Sequence, residues 1–164
     1  MKQEVHPSKQ VVVRNLRPAD LESVVHLDTV LTGLRREEFF KVKLAQAMSD
    51  TGVMISLAAE LEDAFVGFCL ARVYYGEFGK LVPTAVLDTF GVHPVWTKRG
   101  VGRALLAQLR TNLQALGITE LQTEVEWENQ RLLSFFHHAG FKPAARLALD
   151  LDLEEARRRE LTEE

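Results

Sequence analysis

The sequence of 164 residues contains one cysteine, two tryptophans, two tyrosines and five prolines. With a single cysteine, Cys69, the chain cannot form an internal disulfide. Cys69 lies in the apolar run FVGFCLARV, which predicts a buried thiol on a strand. A nucleophilic thiol would need an activating base, and none lies nearby in the sequence.

Long hydrophobic runs are also absent. No segment approaches the roughly 18 apolar residues of a membrane-spanning helix. The first ten residues, MKQEVHPSKQ, lack the apolar centre of a signal peptide. We therefore expect a cytoplasmic protein that does not bind a membrane, with residues 1–10 as a flexible N-terminus.

An excess of charge of one sign is missing as well. The net charge is -3, so no global basic field favours nucleic acid as a partner. The hydrophobic fraction of 46% and charged fraction of 26% are typical of a globular protein. The length suits a single domain, predicted over residues 11–153, and residues 154–164 form a charged tail that we expect to be a solvated helix.

Apolar periodicity predicts an α/β (α+β) fold, a mixed sheet with helices on its faces. Helices are expected over residues 20–31, where Asp20 is the predicted N-cap, and over 35–48, 100–116 and 129–139. Strands are expected over residues 11–17, 53–60, 65–75, 84–92, 121–126 and 146–153, with a hairpin turn at Glu62 and Asp63. Gly117 and Gly140 are expected to end the third and fourth helices. The last strand could pair across a dimer, so both a monomer and a homodimer are compatible with the sequence.

The segment LDTFGVHPVWTKRGVGRALL, residues 87–106, carries the strongest functional signal. A buried strand is followed by Pro94, by basic residues and by two spaced glycines that open a helix. Free N–H groups at a helix start bind phosphate oxygens, and glycine at 100 and 102 permits close approach. Lys98, Arg99 and Arg103 would oppose the helix dipole without an anion, which favours an anion site over a plain helix start.

Two common phosphate motifs do not match. No GK[ST] follows the glycines, so the segment is not a P-loop. A dinucleotide fingerprint would place a third small residue where Leu105 stands.

The segment resembles the acyl-CoA-binding motif of the GCN5-related N-acetyltransferase (GNAT) superfamily. That motif has a strand ending in V-x-P, followed by [Q/R]-x-x-G-x-[G/A] and a helix; here it reads VHP and TKRGVG. LQTEVEWEN and LLSFFHHAGF resemble the next strand and helix, so the likeness covers residues 86–141. It is nearest to the ribosomal-protein-alanine N-acetyltransferases. The resemblance implies a mostly antiparallel mixed sheet of six to seven strands, splayed between the fourth and fifth, with helices on both faces.

The resemblance also implies a cofactor site for acetyl-CoA or coenzyme A, with no metal. The end of the fourth strand, Phe90, Gly91 and Val92, would pair with the pantetheine arm. The pyrophosphate would be held by Lys98, Arg99, Gly100, Val101, Gly102 and Arg103. Thr97 departs from the motif's Gln or Arg, although a hydroxyl can still bond phosphate. Asn129 would contact the cofactor or cap the following helix.

The expected reaction transfers an acetyl group to a primary amine of a small molecule or of a protein or peptide N-terminus, by direct attack on the thioester. By resemblance, Glu124 in LQTEV takes the amine proton. Strand alternation would put Glu126 and Glu128 on the same face, although a solvated polar face fits this pattern too. Asp88, within an apolar strand, is the second candidate base.

A further departure concerns the acid. Phe136 stands near the cofactor where many members have a tyrosine that protonates the leaving thiolate. The thiolate could leave unaided, or a water, Tyr74 or Tyr75 could serve. Alternatively the chain is a non-catalytic acyl-CoA-binding or sensor domain, or an α/β interaction module without cofactor.

Other residues near the expected site have weaker signals. Trp127 is either a wall of the acceptor site or part of the core. The loop with Glu77 could border the acceptor site together with Tyr74 and Tyr75. His137 and His138 point about 100° apart on a helix and are not expected to bind a metal.

Overall fold

The computed structural model describes residues 10–49, 55–76, 79 and 81–162. Contacts divide the chain into two compact units, Met1–Glu126 and Trp127–Glu164. Within the described residues the first unit contains β1 (Val12–Asn15), α1 (Leu21–Thr32), α2 (Glu37–Ser49), β2 (Leu57–Leu61), β3 (Ala64–Tyr74), β4 (Thr84–Val92), α3 (Val101–Ala115) and β5 (Glu120–Thr123). The second contains α4 (Gln130–His138) and α5 (Leu153–Thr162).

The sheet has the order β1-β2-β3-β4-β5. Neighbours from β1 to β4 are antiparallel, and β5 runs parallel to β4. The predicted turn between β2 and β3 is confirmed, because Glu62 and Asp63 both have positive φ, 55° and 62°. Two successive left-handed residues match the twist of a tight hairpin. The mixed sheet is therefore built mainly from local pairings.

Alternation along β3 distributes the helices over both faces of the sheet. Phe68 and Leu70 belong to a buried cluster with residues of α1 and α2, including Leu27 and Phe40. On the opposite face Gly67 lies against α3, where an added Cβ would come within 2.9 Å of Val101 Cγ1. This close contact fixes the start of α3 against the middle of the sheet.

Asp20 precedes α1 as predicted, but its carboxylate does not cap that helix. Instead it accepts two hydrogen bonds of 2.8 Å from the Arg14 guanidinium and one of 2.7 Å from the Arg17 backbone N–H. Burial alone would raise the pKa of Asp20, but these hydrogen bonds and the nearby positive charges together hold it below its ordinary value. The charged fork of Arg14 thus replaces the cap expected from local sequence.

The glycines that follow α3 and α4 end those helices as expected. Gly117 has φ 73°, and Ile118 N donates to Leu113 O at 3.0 Å. Gly140 has φ 97°, and Phe141 N donates to Phe136 O at 3.0 Å. Both are Schellman-type ends, in which a left-handed glycine lets the chain satisfy the last carbonyls.

Two strand predictions are corrected. The segment 146–153, expected as the last strand, forms no ladder within the described residues, which contain five strands rather than six or seven. Leu147, Leu149 and Leu151 are 86%, 88% and 73% exposed. Alternation indicates a strand only where a second strand supplies backbone partners. Likewise, the strand expected over residues 121–126 ends at Thr123.

The remaining predictions for this part agree with the structure or lie outside it. Cys69 is fully buried, and burial raises the pKa of its thiol to about 12. The charged tail begins as the expected helix, α5. No helix among the described residues is both long and apolar enough to cross a membrane. Residues 1–9 and 163–164 and the predicted strand start at 53–54 lie outside the described residues.

Candidate functional site

β5 pairs over its whole length with the first half of β4. Their parallel ladder runs from Thr84–Glu120 to Leu87–Thr123. There Thr123 Oγ1 donates a hydrogen bond of 2.9 Å to Leu87 O. β4 continues to Val92, so its second half extends beyond the end of β5. Phe90, Gly91 and Val92, predicted to meet the pantetheine arm, all lie in this extension.

A β-bulge marks the point where the two strands part. Leu70 of β3 faces Thr89, and Ala71 faces Leu87, which leaves Asp88 as the extra residue on β4. Bulges redirect a side chain and end regular pairing. Here the carboxylate of Asp88 is directed to α2, where Oδ2 lies 2.9 Å from Lys43 Nζ. Asp88, the second candidate base, is therefore already engaged by a cation.

The segment that joins β4 to α3, residues 93–103, is called the α3 loop below. It begins with a 3-10 turn, Pro94–Trp96, in which His93 Nδ1 accepts from Val95 N. Thr97 Oγ1 donates to Pro94 O at 2.9 Å. The Thr97 proton therefore shapes the loop, and the motif's missing Gln or Arg is not replaced by a free hydroxyl donor.

Two residues of the α3 loop are left-handed, Lys98 with φ 65° and Gly100 with φ 80°. Turns that alternate in handedness aim successive N–H groups at one concavity, which suits an anion. The first internal hydrogen bond of α3 joins Ala104 N to Gly100 O at 2.9 Å. No protein acceptor is found in the described part of the chain for the N–H groups of Val101, Gly102 and Arg103. The loop thus presents the donors that the sequence predicts.

The basic side chains of the α3 loop are exposed. Lys98, Arg99 and Arg103 form no ion pair with a carboxylate of the described residues. The Arg99 guanidinium lies over the Trp96 ring, 5.6 Å from its centroid. A cation held on an aromatic face keeps its outward N–H groups available for an oxyanion.

The predicted carboxylates follow the end of β5. Glu124, Glu126 and Glu128 are exposed, and none of them lies within a strand. The argument from strand alternation therefore does not place them on a shared face. Glu124 directly follows the last residue of β5, next to the point where β4 and β5 part, and so it stays a candidate base.

In the second unit, Asn129 is the N-cap of α4. Its Oδ1 accepts from Leu132 N at 3.2 Å, which is one of the two roles expected for it. Phe136 is 4% exposed, and its ring centroid lies 4.9 Å from that of Phe141. Trp127 is 85% exposed, so the interpretation as a core residue is wrong. The rings of His137 and His138 are nearly perpendicular, at 85°.

The tyrosines of the expected acceptor border lie at the end of β3. Tyr75 is 67% exposed. Tyr74 carries the Arg72 guanidinium over its ring, with Cζ 4.8 Å from the centroid. Glu77, expected to border the same site, lies outside the described residues.

Sequence reasoning missed three residues that shape this region. Gly67 allows α3 to approach the sheet, Lys43 pairs with Asp88, and Arg72 stands beside that pair. A glycine within an apolar strand is a known sign of close backbone approach and could have indicated Gly67. Lys43 and Arg72 belong to no motif, because their meaning depends on neighbours that are distant in sequence.

Comparison with known proteins agrees with this geometry. The sequence profile of the Acetyltransferase (GNAT) family matches residues 21–141. The match covers most of the chain and runs from the first residue of α1 to Phe141, three residues after the end of α4. The protein belongs to that family, as the α3 loop predicted.

Three related enzymes match parts of the chain. Mycothiol acetyltransferase of Beutenbergia cavernae is 37% identical over 62 residues, 38% of this chain and 21% of that protein. Aminoglycoside N(6')-acetyltransferase type 1 of Stenotrophomonas maltophilia is 28% identical over 107 residues, 64% of this chain and 70% of that enzyme. Ribosomal protein bS18-alanine N-acetyltransferase of Salmonella typhimurium is 28% identical over 90 residues. The chain spans only 21% of the first relative's length and 56% of the third's.

Solved structures share the fold. Aminoglycoside N-acetyltransferase AAC(6')-Iy in complex with CoA superposes with a TM-score of 0.76 at 18% identity, covering 91% of this chain and 99% of that one. Naa50 of Arabidopsis thaliana, in complex with the bisubstrate analogue CoA-Ac-MVNAL, has a TM-score of 0.65 at 20% identity, covering 87% and 92%. At this identity the likeness establishes the fold class, and it confirms the predicted GNAT architecture.

Proposed function

We propose that the protein is an acetyl-CoA-dependent N-acetyltransferase that moves an acetyl group to a primary amine. The observation that carries the proposal is the opening between β4 and β5, flanked by the N–H donors of the α3 loop. A strand edge followed by an anion site suits a long ligand with a pyrophosphate at one end. Family membership agrees with this ligand class.

Acetyl-CoA supplies an activated acyl thioester when it is bound. The N–H groups of Val101, Gly102 and Arg103 would hold its pyrophosphate, with charge from Lys98 and Arg99. The backbone of Phe90, Gly91 and Val92 would pair with the pantetheine arm. The phosphate anchor and the strand edge together orient the thioester, and such positioning lowers the entropic barrier to attack.

The acceptor nitrogen must be neutral to attack the thioester carbon. In the proposed reaction a carboxylate accepts one amine proton, the N–C bond forms, and the C–S bond breaks with release of the thiolate. Glu124 is the proposed proton acceptor, and Glu126 and Asp88 are the alternatives. The ion pair between Asp88 and Lys43 supports Glu124, because a carboxylate bound to an ammonium must lose that partner before it acts as a base.

The leaving thiolate has no tyrosine at Phe136 to protonate it. A thiol of pKa roughly 8.5 is a tolerable leaving group without an acid. We propose that the thiolate leaves unaided or takes its proton from water, with Tyr74 and Tyr75 as further candidates. Turnover would then be slower than with a positioned acid.

We propose that residues 11–153 form one acetyl-CoA-binding domain, supported by a family match that crosses the boundary between the two compact units. We also propose a cytoplasmic protein, a monomer or homodimer, that acts on a small-molecule or peptide amine and binds no nucleic acid or membrane. The net charge of -3 supports the last point.

The test combines binding with turnover. At about 100 times its dissociation constant, CoA should raise the free energy of unfolding by roughly 2.7 kcal/mol. The measurement is the melting temperature with increasing CoA and acetyl-CoA. Release of free CoA thiol with a panel of amines and peptides then measures transfer. A melting temperature that does not respond to millimolar CoA would contradict the proposal.

A non-catalytic acyl-CoA sensor is the second candidate, and the phenylalanine at position 136 is the observation that favours it. The Phe136→Tyr variant discriminates between the two. A large gain in turnover would identify a weak enzyme that lacks only its acid. Binding of CoA without transfer to any acceptor, in both wild type and variant, would favour the sensor.

A further inference from the structure

A small, shallow pocket that is open to solvent lies between α2, β3 and β4, with room of about 20 Å³ for the centres of water-sized atoms. This space suits one small polar group of a ligand, such as a carboxylate, rather than a whole ligand. Both apolar and charged residues line it. We call it the Arg72 pocket; it is lined by Lys43, Gln46, Ala47, Leu70, Ala71, Arg72 and Asp88.

The charges that line the Arg72 pocket do not balance. Lys43 and Asp88 form an ion pair of 2.9 Å, with side chains only 21% and 25% exposed. Arg72 has no carboxylate partner within the described residues. The lining therefore carries one net positive charge, which a single negative charge from a ligand would neutralise.

The Arg72 guanidinium is positioned but incompletely satisfied. Its Nε is buried and has no hydrogen-bond partner among the described residues. Its Cζ lies 4.8 Å from the centre of the Tyr74 ring, which holds the guanidinium plane. A buried donor without an acceptor is costly. The planar guanidinium offers paired N–H donors that match the two oxygens of a carboxylate.

The Arg72 pocket adjoins the proposed reaction site. Asp88 lines the pocket and is also the bulged residue at which β4 and β5 part. The next residues of β4 are those proposed to meet the pantetheine arm. A molecule seated in the pocket would therefore lie beside the path of the acyl donor.

We propose that the acceptor is an amine that also carries a carboxylate, and that Arg72 binds this carboxylate in the pocket. The inference rests on the proposed acetyltransferase function and adds the chemical class of its acceptor. A polycationic acceptor without an acidic group would instead bring positive charge to a lining that already has an excess of it. Gln46 offers an amide for a further polar group of the acceptor.

The test compares acceptors in matched pairs, each an amino acid and the corresponding amino-acid amide. Transfer is followed as release of CoA thiol from acetyl-CoA, and kcat/KM is measured for both members. A bidentate charge-assisted contact predicts a preference of about 10- to 100-fold for the carboxylate. Equal kcat/KM values across the pairs would overturn the inference.

Two variants connect the preference to Arg72. In Arg72→Gln the ratio of carboxylate to amide kcat/KM should fall to about one, because charge and fork are both lost. Arg72→Lys keeps the charge without the fork and should give an intermediate ratio. Arg110→Gln, at an exposed arginine of α3, is the matched control and should keep the wild-type ratio. A preference that survives Arg72→Gln would also overturn the inference.

A second measurement needs no variant and covers the case in which Arg72→Gln does not fold. Butyrate should inhibit wild-type transfer competitively with the amine, whereas butyramide should not. Equal inhibition by the two would contradict the pocket assignment. Failure of the wider function gives a different result: no change of melting temperature with CoA, irrespective of the amines.

Discussion

The α3 loop and the Arg72 pocket both adjoin β4, but they are assembled differently. Every group of the α3 loop comes from consecutive residues 93–103, and their effect depends on local backbone conformation, such as φ 65° at Lys98 and 80° at Gly100. The Arg72 pocket takes its residues from three elements. Its charge balance exists only after α2 has packed on the sheet. The difference explains why the proposed acetyl-CoA site can be recognised from sequence while the proposed acceptor site beside it cannot.

The largest expected effect is the loss of kcat/KM when the proposed proton acceptor is removed. Glu124→Gln should lower kcat/KM about 10²- to 10⁴-fold by removing the proton acceptor. CoA affinity, measured by the shift of melting temperature, should not change, because the α3 loop is intact. Glu128→Gln, in the same exposed segment, is the control. If Asp88→Asn or Glu126→Gln causes the larger loss, the assignment of the base to Glu124 is wrong.

The next effect should be confined to the α3 loop. Gly100→Ala forces a Cβ into a left-handed position and should cost about 1–2 kcal/mol of stability. It should also weaken CoA binding about tenfold or more by moving the N–H donors. Gly117→Ala is closely matched, since Gly117 has φ 73° and, like Gly100, no heavy atom within 4 Å of an added Cβ. It should lose similar stability and keep CoA affinity; an equal loss of affinity in both variants would contradict the local role of Gly100.

A third variant tests whether the conformation of the α3 loop depends on packing against residues outside 93–103. In Gly67→Ala the new Cβ would meet Val101 Cγ1 at 2.9 Å and Gly91 O at 3.1 Å. We expect a loss of about 1–3 kcal/mol from overpacking, with a few-fold weaker CoA binding as the start of α3 is displaced. Adding Val101→Ala should restore part of the lost stability and part of the lost CoA affinity, as measured by urea unfolding and CoA titration. Unchanged CoA affinity in Gly67→Ala would show that the loop does not depend on this packing.

The smallest effect on CoA binding is expected from substitution of Asp20, which lies in neither the α3 loop nor the Arg72 pocket. Its pKa is lower in the folded protein than in the unfolded chain. Its contribution to the free energy of unfolding is therefore complete at pH values above the pKa of the unfolded chain. That contribution is lost as the pH falls below the ordinary value of 3.8 and through the folded pKa. Asp20→Asn should therefore be less stable at neutral pH and lose less stability in acid than the wild type.

Unfolding curves at several pH values measure this difference. Asp150→Asn, at an exposed position, is the control and should follow the wild-type pH profile. CoA affinity of Asp20→Asn at neutral pH should equal that of the wild type. A parallel pH profile in Asp20→Asn and the wild type would contradict the role assigned to the Arg14–Asp20 contact.

Prediction from sequence succeeded where short-range rules govern the chain. β4 begins at Thr84 and ends at Val92 as predicted, because an apolar run is closed by a proline soon after it. Gly117 and Gly140 end their helices as expected, since only local backbone geometry is involved. Asn129 caps α4 for the same reason, with its side chain three residues from its partner.

Prediction failed where a distant partner decides the outcome. Residues 146–153 alternate like a strand, but no ladder forms on them within the described residues. Asp20 was expected to cap α1 and instead binds Arg14. Asp88 was expected as a candidate base in an apolar strand, and its lysine partner comes from α2.

The sequence by itself determined the family, the donor loop and most element positions, because each is encoded in adjacent residues whose backbone preferences suffice. Only the tertiary structure decided where β4 and β5 part, how closely Gly67 lets α3 approach, and which charges surround Asp88. Those features depend on contacts between residues far apart in the chain, where the free energy of a side chain is set by its neighbours rather than by its own type. The pairing of Asp88 with Lys43, which leaves Arg72 without a carboxylate partner among the described residues, is one such outcome.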